Sequence, residues 1–126
     1  MKSIILFLYT FILPIISINE NTDITINKKF RDLGKVTAGS ILVERYYLTN
    51  NTSTNIKILK VNPECSCTDF HVSSYEIMPH DSIYIELTVD TTHKQGNQTI
   101  YTIVKTNTKT SMHKLALKVF VNSKDN

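Results

Sequence analysis

Both cysteines of the chain lie one residue apart in "NPECSCTDFH", Asn62 to His71. Cys65, Cys67, Asp69 and His71 occupy alternate positions, so on an extended strand their side chains share one face. Two thiolates are soft ligands suited to copper(I) or zinc, and His71 or His80 could complete such a site. Four alternate positions span roughly 20 Å at the strand rise, so one ion reaches two or three of them, and His80, His93 or His113 would have to fold in from loops. A disulfide is the usual fate of a cysteine pair in an exported protein. On an extended strand, however, residues i and i+2 stand about 6.6 Å apart with parallel Cβ vectors, so bridging them demands a tight turn. In a third reading the thiols pack as small hydrophobes at the entry to a strand, with Phe70 and Val72 supplying core contacts. On these grounds packing is weighed first, metal or thiol chemistry second and the disulfide last.

Catalytic motifs are missing from the sequence. There is no Gly-x-Ser-x-Gly elbow, no His-Glu-x-x-His and no phosphate-cradling loop in a chain with three glycines. Neither a base nor a helix N-terminus is apparent that would lower a cysteine pKa, so the expectation is a protein that is not an enzyme and holds no cofactor beyond the copper or zinc just considered. The formal charge of +3 comes from fourteen Lys and Arg scattered among eleven acids, without the basic stripe of a nucleic-acid binder. Asn50, Asn51 and Asn97 head Asn-x-Ser/Thr sequons, which matter only where glycosylation machinery exists.

The elements that must position these residues are strands. Lys2 is followed by the apolar run "IILFLYTFILPII", which resembles a secretory leader and is shorter than the roughly twenty residues of a membrane span. A leader over 1–17 is expected, with Ser17 its last residue and an uncleaved anchor as the alternative. Residues 18–28 read as a linker or a loosely attached first strand, 29–121 as one domain, and 122–126 as a flexible tail. Alternation at period two recurs in "ILVERYYLT", "NIKILKV", "SIYIELTV", "QTIYTIVKT" and "HKLALKVFV". In these runs Leu42, Glu44, Tyr46 and Leu48 share a face, as do Ile83, Ile85, Leu87 and Val89, and Leu115, Leu117, Val119 and Val121. With a short strand near Phe30 and an extended piece from Cys65 to Val72, this makes about seven antiparallel strands. An all-β sandwich follows, because each alternating strand has one apolar face to bury. Lys57, Lys60, Lys114 and Lys118 are candidate edge blockers.

In order, "FRDLGKVTAGS", "YYLTNNTSTNIKILKV", "CSCT", "IMPHDS", "LTVDT" and "KQGNQTIYTIVKTNT" resemble the DUF1573 family of exported bacterial proteins. The resemblance covers roughly Lys29 to Val121 and implies an immunoglobulin-like sandwich related to the ASPM, SPD-2 and Hydin domains. Phe30, Gly34 and Gly39 match the family's opening pattern, Asn50 its strand end, Cys65, Cys67 and Thr68 its "CGCT", Pro79 its "PG" turn, and Gly96 lies in "KQGN". Ser66 and His80 stand where the family usually has glycine. The second places a side chain where φ is often positive. No activity is established for the family.

The function these readings imply is an exported, non-enzymatic immunoglobulin-like binding or scaffold module of the bacterial envelope, in the periplasm or at the cell surface. Its partner would be a protein or glycan met through loops or a sheet edge, near Cys65, near His80 and in "THKQGN". Membrane contact would come only through an uncleaved leader. The alternative is a periplasmic metal-handling or thiol-handling protein using Cys65 and Cys67.

Overall fold

The computed structural model of the chain describes residues 23–124. The leader reading for 1–17, the start of the linker and the last two tail residues lie outside the described residues. Nine strands follow one another: β1 (Ile24–Ile26), β2 (Phe30–Thr37), β3 (Ile41–Asn50), β4 (Ile56–Pro63), β5 (Thr68–Val72), β6 (Glu76–Ile77), β7 (Ser82–Asp90), β8 (Gly96–Thr106) and β9 (Met112–Asn122). They form a four-stranded sheet in the order β1-β3-β7-β5 and a five-stranded sheet in the order β2-β9-β8-β4-β6. The architecture is an all-β, immunoglobulin-like sandwich.

The count of nine corrects the seven expected, for two local reasons. At Lys28, whose φ is 50°, the chain crosses from one sheet to the other. One edge strand thereby becomes two, β1 pairing antiparallel with β3 and β2 pairing parallel with β9. The fully antiparallel expectation is corrected at the same place. The second addition is β6, two residues paired with the start of β4. Ile24 and Ile26 are buried in the core, so of the two readings of 18–28, linker or loosely attached first strand, the strand holds at residues 24–26.

The alternating runs bury the faces expected of them. Leu42, Tyr46 and Leu48 on β3, Ile83, Ile85, Leu87 and Val89 on β7, and Leu115, Leu117, Val119 and Val121 on β9 point inward. On β4 the inward set is Ile56, Ile58 and Val61, and the break in the period coincides with a register shift between Ile58 and Lys60. Two expectations fail. Phe70 is 41% exposed, on β5 at the edge of its sheet. Lys118 lies on β9 between Asp32 of β2 and Thr99 of β8, in a sheet interior where it blocks no edge, whereas Lys114 precedes the β2 pairing and lies opposite Ile103 of β8.

The core divides along the strand axis. Tyr46, Leu48, Ile56, Ile77, Ile85 and Leu115 belong to the larger cluster, together with Ile24 and Ile26. Leu42, Val89, Ile100, Leu117, Val119 and Val121 form the smaller one, and Cys65 and Cys67 pack against it, partly buried. Each such aliphatic side chain removed from water contributes about 1.5–3 kcal/mol. Tyr46 crosses the core, its hydroxyl donating to the Ala116 carbonyl at 3.0 Å. Burial pushes its phenol up to about 12, while the nearby Arg31 charge pulls the other way.

Candidate functional site

The two cysteines are joined as a disulfide with Cα atoms 5.1 Å apart. This corrects the ordering of readings drawn from the sequence, and the backbone supplies the reason. Residues 64–67 do not continue the strand; they turn, and the Thr68 N–H donates to the Cys65 carbonyl at 3.1 Å. The Cα atoms thereby come closer than the extended separation that argued against a bridge. Ser66, standing where glycine was expected, needs no left-handed φ here. The Asp90 N–H donates to the Cys67 carbonyl at 2.9 Å, tying the turn to the end of β7. Inside the ring the Cys67 N–H points at Cys65 Sγ, 3.1 Å away, and Cys67 Sγ lies 3.5 Å from the Thr68 hydroxyl.

The turn borders an open depression of about 380 Å³, lined by Cys65, Ser66, Cys67, Asp69, Asp90, His93 and Lys94. The loop after β7, the "THKQGN" stretch, comes beside the cysteines through His93 and Lys94, a proximity that the sequence reading did not give. Hydrogen bonds from the Thr92 hydroxyl and backbone N–H hold the Asp90 carboxyl below its ordinary range. Of the four ligand candidates the two cysteines are bonded to each other, and neither His71 nor His80 joins them. His71 lies opposite Glu86 on the outer face of the sheet, its ring 6.3 Å from that of Tyr84. His80 sits in the turn before β7, at the other end of the sandwich. Among the described residues no three His, Cys, Asp or Glu side chains gather as a metal ion would require. The histidine that shares the depression is His93, whose approach depends on the β7–β8 connection rather than on spacing from the cysteines.

At that other end the family-motif residues Asn50 and Pro79, with His80, form a closed corner. Asn50 is fully buried and all its amide valences are used. Nδ2 donates to the Thr54 and Ile77 carbonyls at 2.8 and 2.9 Å, and Oδ1 accepts from the Thr52 N–H and hydroxyl at 2.8 and 2.7 Å. Its carbonyl accepts the His80 N–H at 2.9 Å. The Asp81 N–H returns to the Met78 carbonyl at 3.1 Å, so Pro79 and His80 are the central residues of a tight turn. His80 has φ 62°, the left-handed conformation expected from the glycine it replaces. Gly34 likewise has φ 71°, at the register shift in β2, with its N–H bonded to Asp32 Oδ1 at 2.9 Å. Phe30 is exposed on β2, Thr68 is buried at the start of β5, and Gly39 and Gly96 share the positive φ. His113 is buried beside this corner with Nε2 3.2 Å from the Thr106 hydroxyl, and burial, reinforced by Lys29, lowers its pKa.

A surface that the sequence reading did not single out lies on the outer face of the four-stranded sheet. Register places Tyr47 opposite Tyr84 and Arg45 opposite Glu86. The tyrosine rings are 5.9 Å apart, the Arg45 guanidinium stacks 4.3 Å above the Tyr84 ring, and its Nε meets Glu86 Oε2 at 2.8 Å. Ile41 and Val43 continue the β3 row, 57% and 55% exposed. Their cross-strand partners are Asp90 and Thr88, and Asp90 also lines the cysteine depression, so the two surfaces are continuous. The clue in the sequence was the pair of apolar residues at the outward positions of "ILVERYYLT".

A family model described as a protein of unknown function, DUF1573, matches residues 24–121. No functionally curated protein matches the sequence. Among solved structures, a protein of unknown function from Porphyromonas gingivalis W83 superposes with a TM-score of 0.69 at 13% identity, over 77% of this chain and 46% of its own. The chain thus spans about half of that protein's length. The ASH/PapD-like domain 7 of human CEP192 gives a TM-score of 0.61 at 13% identity, covering 82% of this chain and 88% of the domain. SSP-19, an MSP-domain-like protein of Caenorhabditis elegans, gives 0.55 at 8% identity over 76% and 98%. Identities this low carry the fold alone.

Proposed function

The chain belongs to the DUF1573 family, whose function is unassigned, and from that premise we propose that it is an exported, non-enzymatic immunoglobulin-like module that binds a protein partner in the bacterial envelope. The observation that carries the reading is the outer face of the four-stranded sheet. The solvent face of an antiparallel sheet is ordinarily polar. Here Ile41, Val43 and Tyr47 stand in one exposed row beside Tyr84 and Arg45. Tyrosine and arginine around an apolar centre are the composition of protein-binding surfaces. Arg45 covers the Tyr84 ring, which favours a protein partner over a sugar ring stacked flat on the aromatic. Next to this face β1 pairs with the last residues of β3, and among the described residues Ile41–Glu44 have no strand neighbour on that side. Export is supported by the leader-like run and by a cysteine pair held oxidised.

The test is capture from the envelope fraction of the source organism with the purified domain and with a Val43→Glu/Tyr47→Ala variant. Specific partners retained by the native protein should be lost from the variant while circular dichroism stays unchanged. Identical capture by both proteins would remove the outer face from consideration.

A further inference from the structure

We propose that the Cys65–Cys67 disulfide is an exchange site that takes two electrons from a dithiol of a partner protein, with Cys67 Sγ the atom attacked and Cys65 Sγ the one that leaves. The inference rests on the preceding reading for the identity of the thiol donor, a protein seated on the adjoining outer face.

Four observations combine. The bridge spans a single intervening residue, and its turn is held independently by the Thr68 N–H on the Cys65 carbonyl and the Asp90 N–H on the Cys67 carbonyl. Breaking the S–S bond therefore leaves the backbone where it is, and the oxidised and reduced forms share one fold. Both cysteines are partly exposed at the rim of the depression, giving an incoming thiolate a path to the bond. Asp69 and Asp90 bring acidic charge to this space while His93 and Lys94 bring basic groups, so an anionic sulfur is not met by uniform repulsion. Finally, the two sulfurs are unlike. Cys65 Sγ already has the Cys67 N–H 3.1 Å away, a fixed donor that strengthens when the sulfur becomes a thiolate; among the described residues Cys67 Sγ meets the rotatable Thr68 hydroxyl at 3.5 Å and no backbone N–H. Exchange is fastest when the departing sulfur is the better-stabilised thiolate.

The step balances as follows. A partner thiolate bonds to Cys67 Sγ, the S–S bond breaks, and its electron pair goes to Cys65 Sγ. The partner's second thiolate then attacks the partner sulfur of the mixed disulfide and releases Cys67 as a thiolate. The partner is oxidised from dithiol to disulfide, and the two protons lost from its thiols end on Cys65 and Cys67.

Two arms test this on the purified protein. In the first, millimolar reduced glutathione should open the bridge, read as two alkylated cysteines by mass spectrometry with circular dichroism unchanged. A bridge that stays closed, or a fold lost with it, overturns the proposal. In the second, a dithiol peptide should be oxidised once per molecule, and Cys65 in Cys67→Ser should alkylate at neutral pH several-fold faster than Cys67 in Cys65→Ser. Equal rates, or rates in the reverse order, overturn the assignment of leaving sulfur. A small-thiol exchanger without a protein donor would pass the first arm and fail to oxidise the peptide, overturning the dithiol assignment. Because neither arm involves the outer face, their failure is distinguishable from failure of the capture experiment.

Discussion

The two ends of the sandwich contain family-motif residues of opposite physical character. Around Asn50 every polar valence is spent inside the protein, on the 51–55 loop, on β6 and on the Pro79–His80 turn, beneath the larger half of the core. Around Cys65 and Cys67 the motif residues form part of the wall of the smaller half-core, and their bond faces an open depression. A motif residue at the first end is sealed in by its hydrogen bonds, whereas one at the second borders solvent. The shared signature therefore holds two kinds of information that a sequence pattern alone cannot separate.

Substitutions at the two ends should differ accordingly. Asn50→Ala strands two carbonyls and a backbone N–H in the closed corner and is expected to destabilise the domain by about 2–4 kcal/mol, measured by urea denaturation. A loss below the error of the measurement would show that the corner is not a fastener. Replacing both cysteines by serine should cost less, about 1–2 kcal/mol, since closing so short a loop restrains the unfolded chain little. A larger loss than that of Asn50→Ala would invert the comparison.

A smaller effect again is expected from pH. The folded protein holds His113 with a lowered pKa, so below the ordinary value of 6.5 the unfolded chain takes up a proton that the folded chain refuses. Stability present above that value is lost as pH falls toward the folded pKa. The thermal midpoint should decline between pH 7 and 5, and His113→Gln should flatten the decline; an unchanged slope would assign it elsewhere. The smallest change is His80→Gly, which relieves a left-handed side chain but adds freedom to the unfolded state. A net gain of under about 1 kcal/mol is expected, and a loss would mean that the imidazole supports the corner.

Much of the framework was legible in the sequence because period-two burial is a local property. Ile83, Ile85, Leu87 and Val89 reveal their face without knowledge of any partner strand, and the left-handed φ of His80 follows from the glycine it replaces. What could not be read depends on distant contacts or on a turn within a few residues. The disulfide required residues 64–67 to leave the extended path, a choice made by hydrogen bonds to Thr68 and Asp90. The exposure of Phe70 depends on its strand being at an edge. The meeting of Tyr47 with Tyr84, and of His93 with the cysteines, depends on register and on loops that close far along the chain.

The entry of the chain into the sheet also has a directional consequence. Asp23 precedes β1 and its carbonyl accepts the Asn51 N–H, so the polypeptide arrives at the fastened corner. The disulfide lies at the far end of β7, roughly 26 Å away at the strand rise. A chain that enters at Asp23 therefore reaches the fold at the end opposite the disulfide, which leaves the Cys65–Cys67 turn as the pole of the sandwich farthest from that entry.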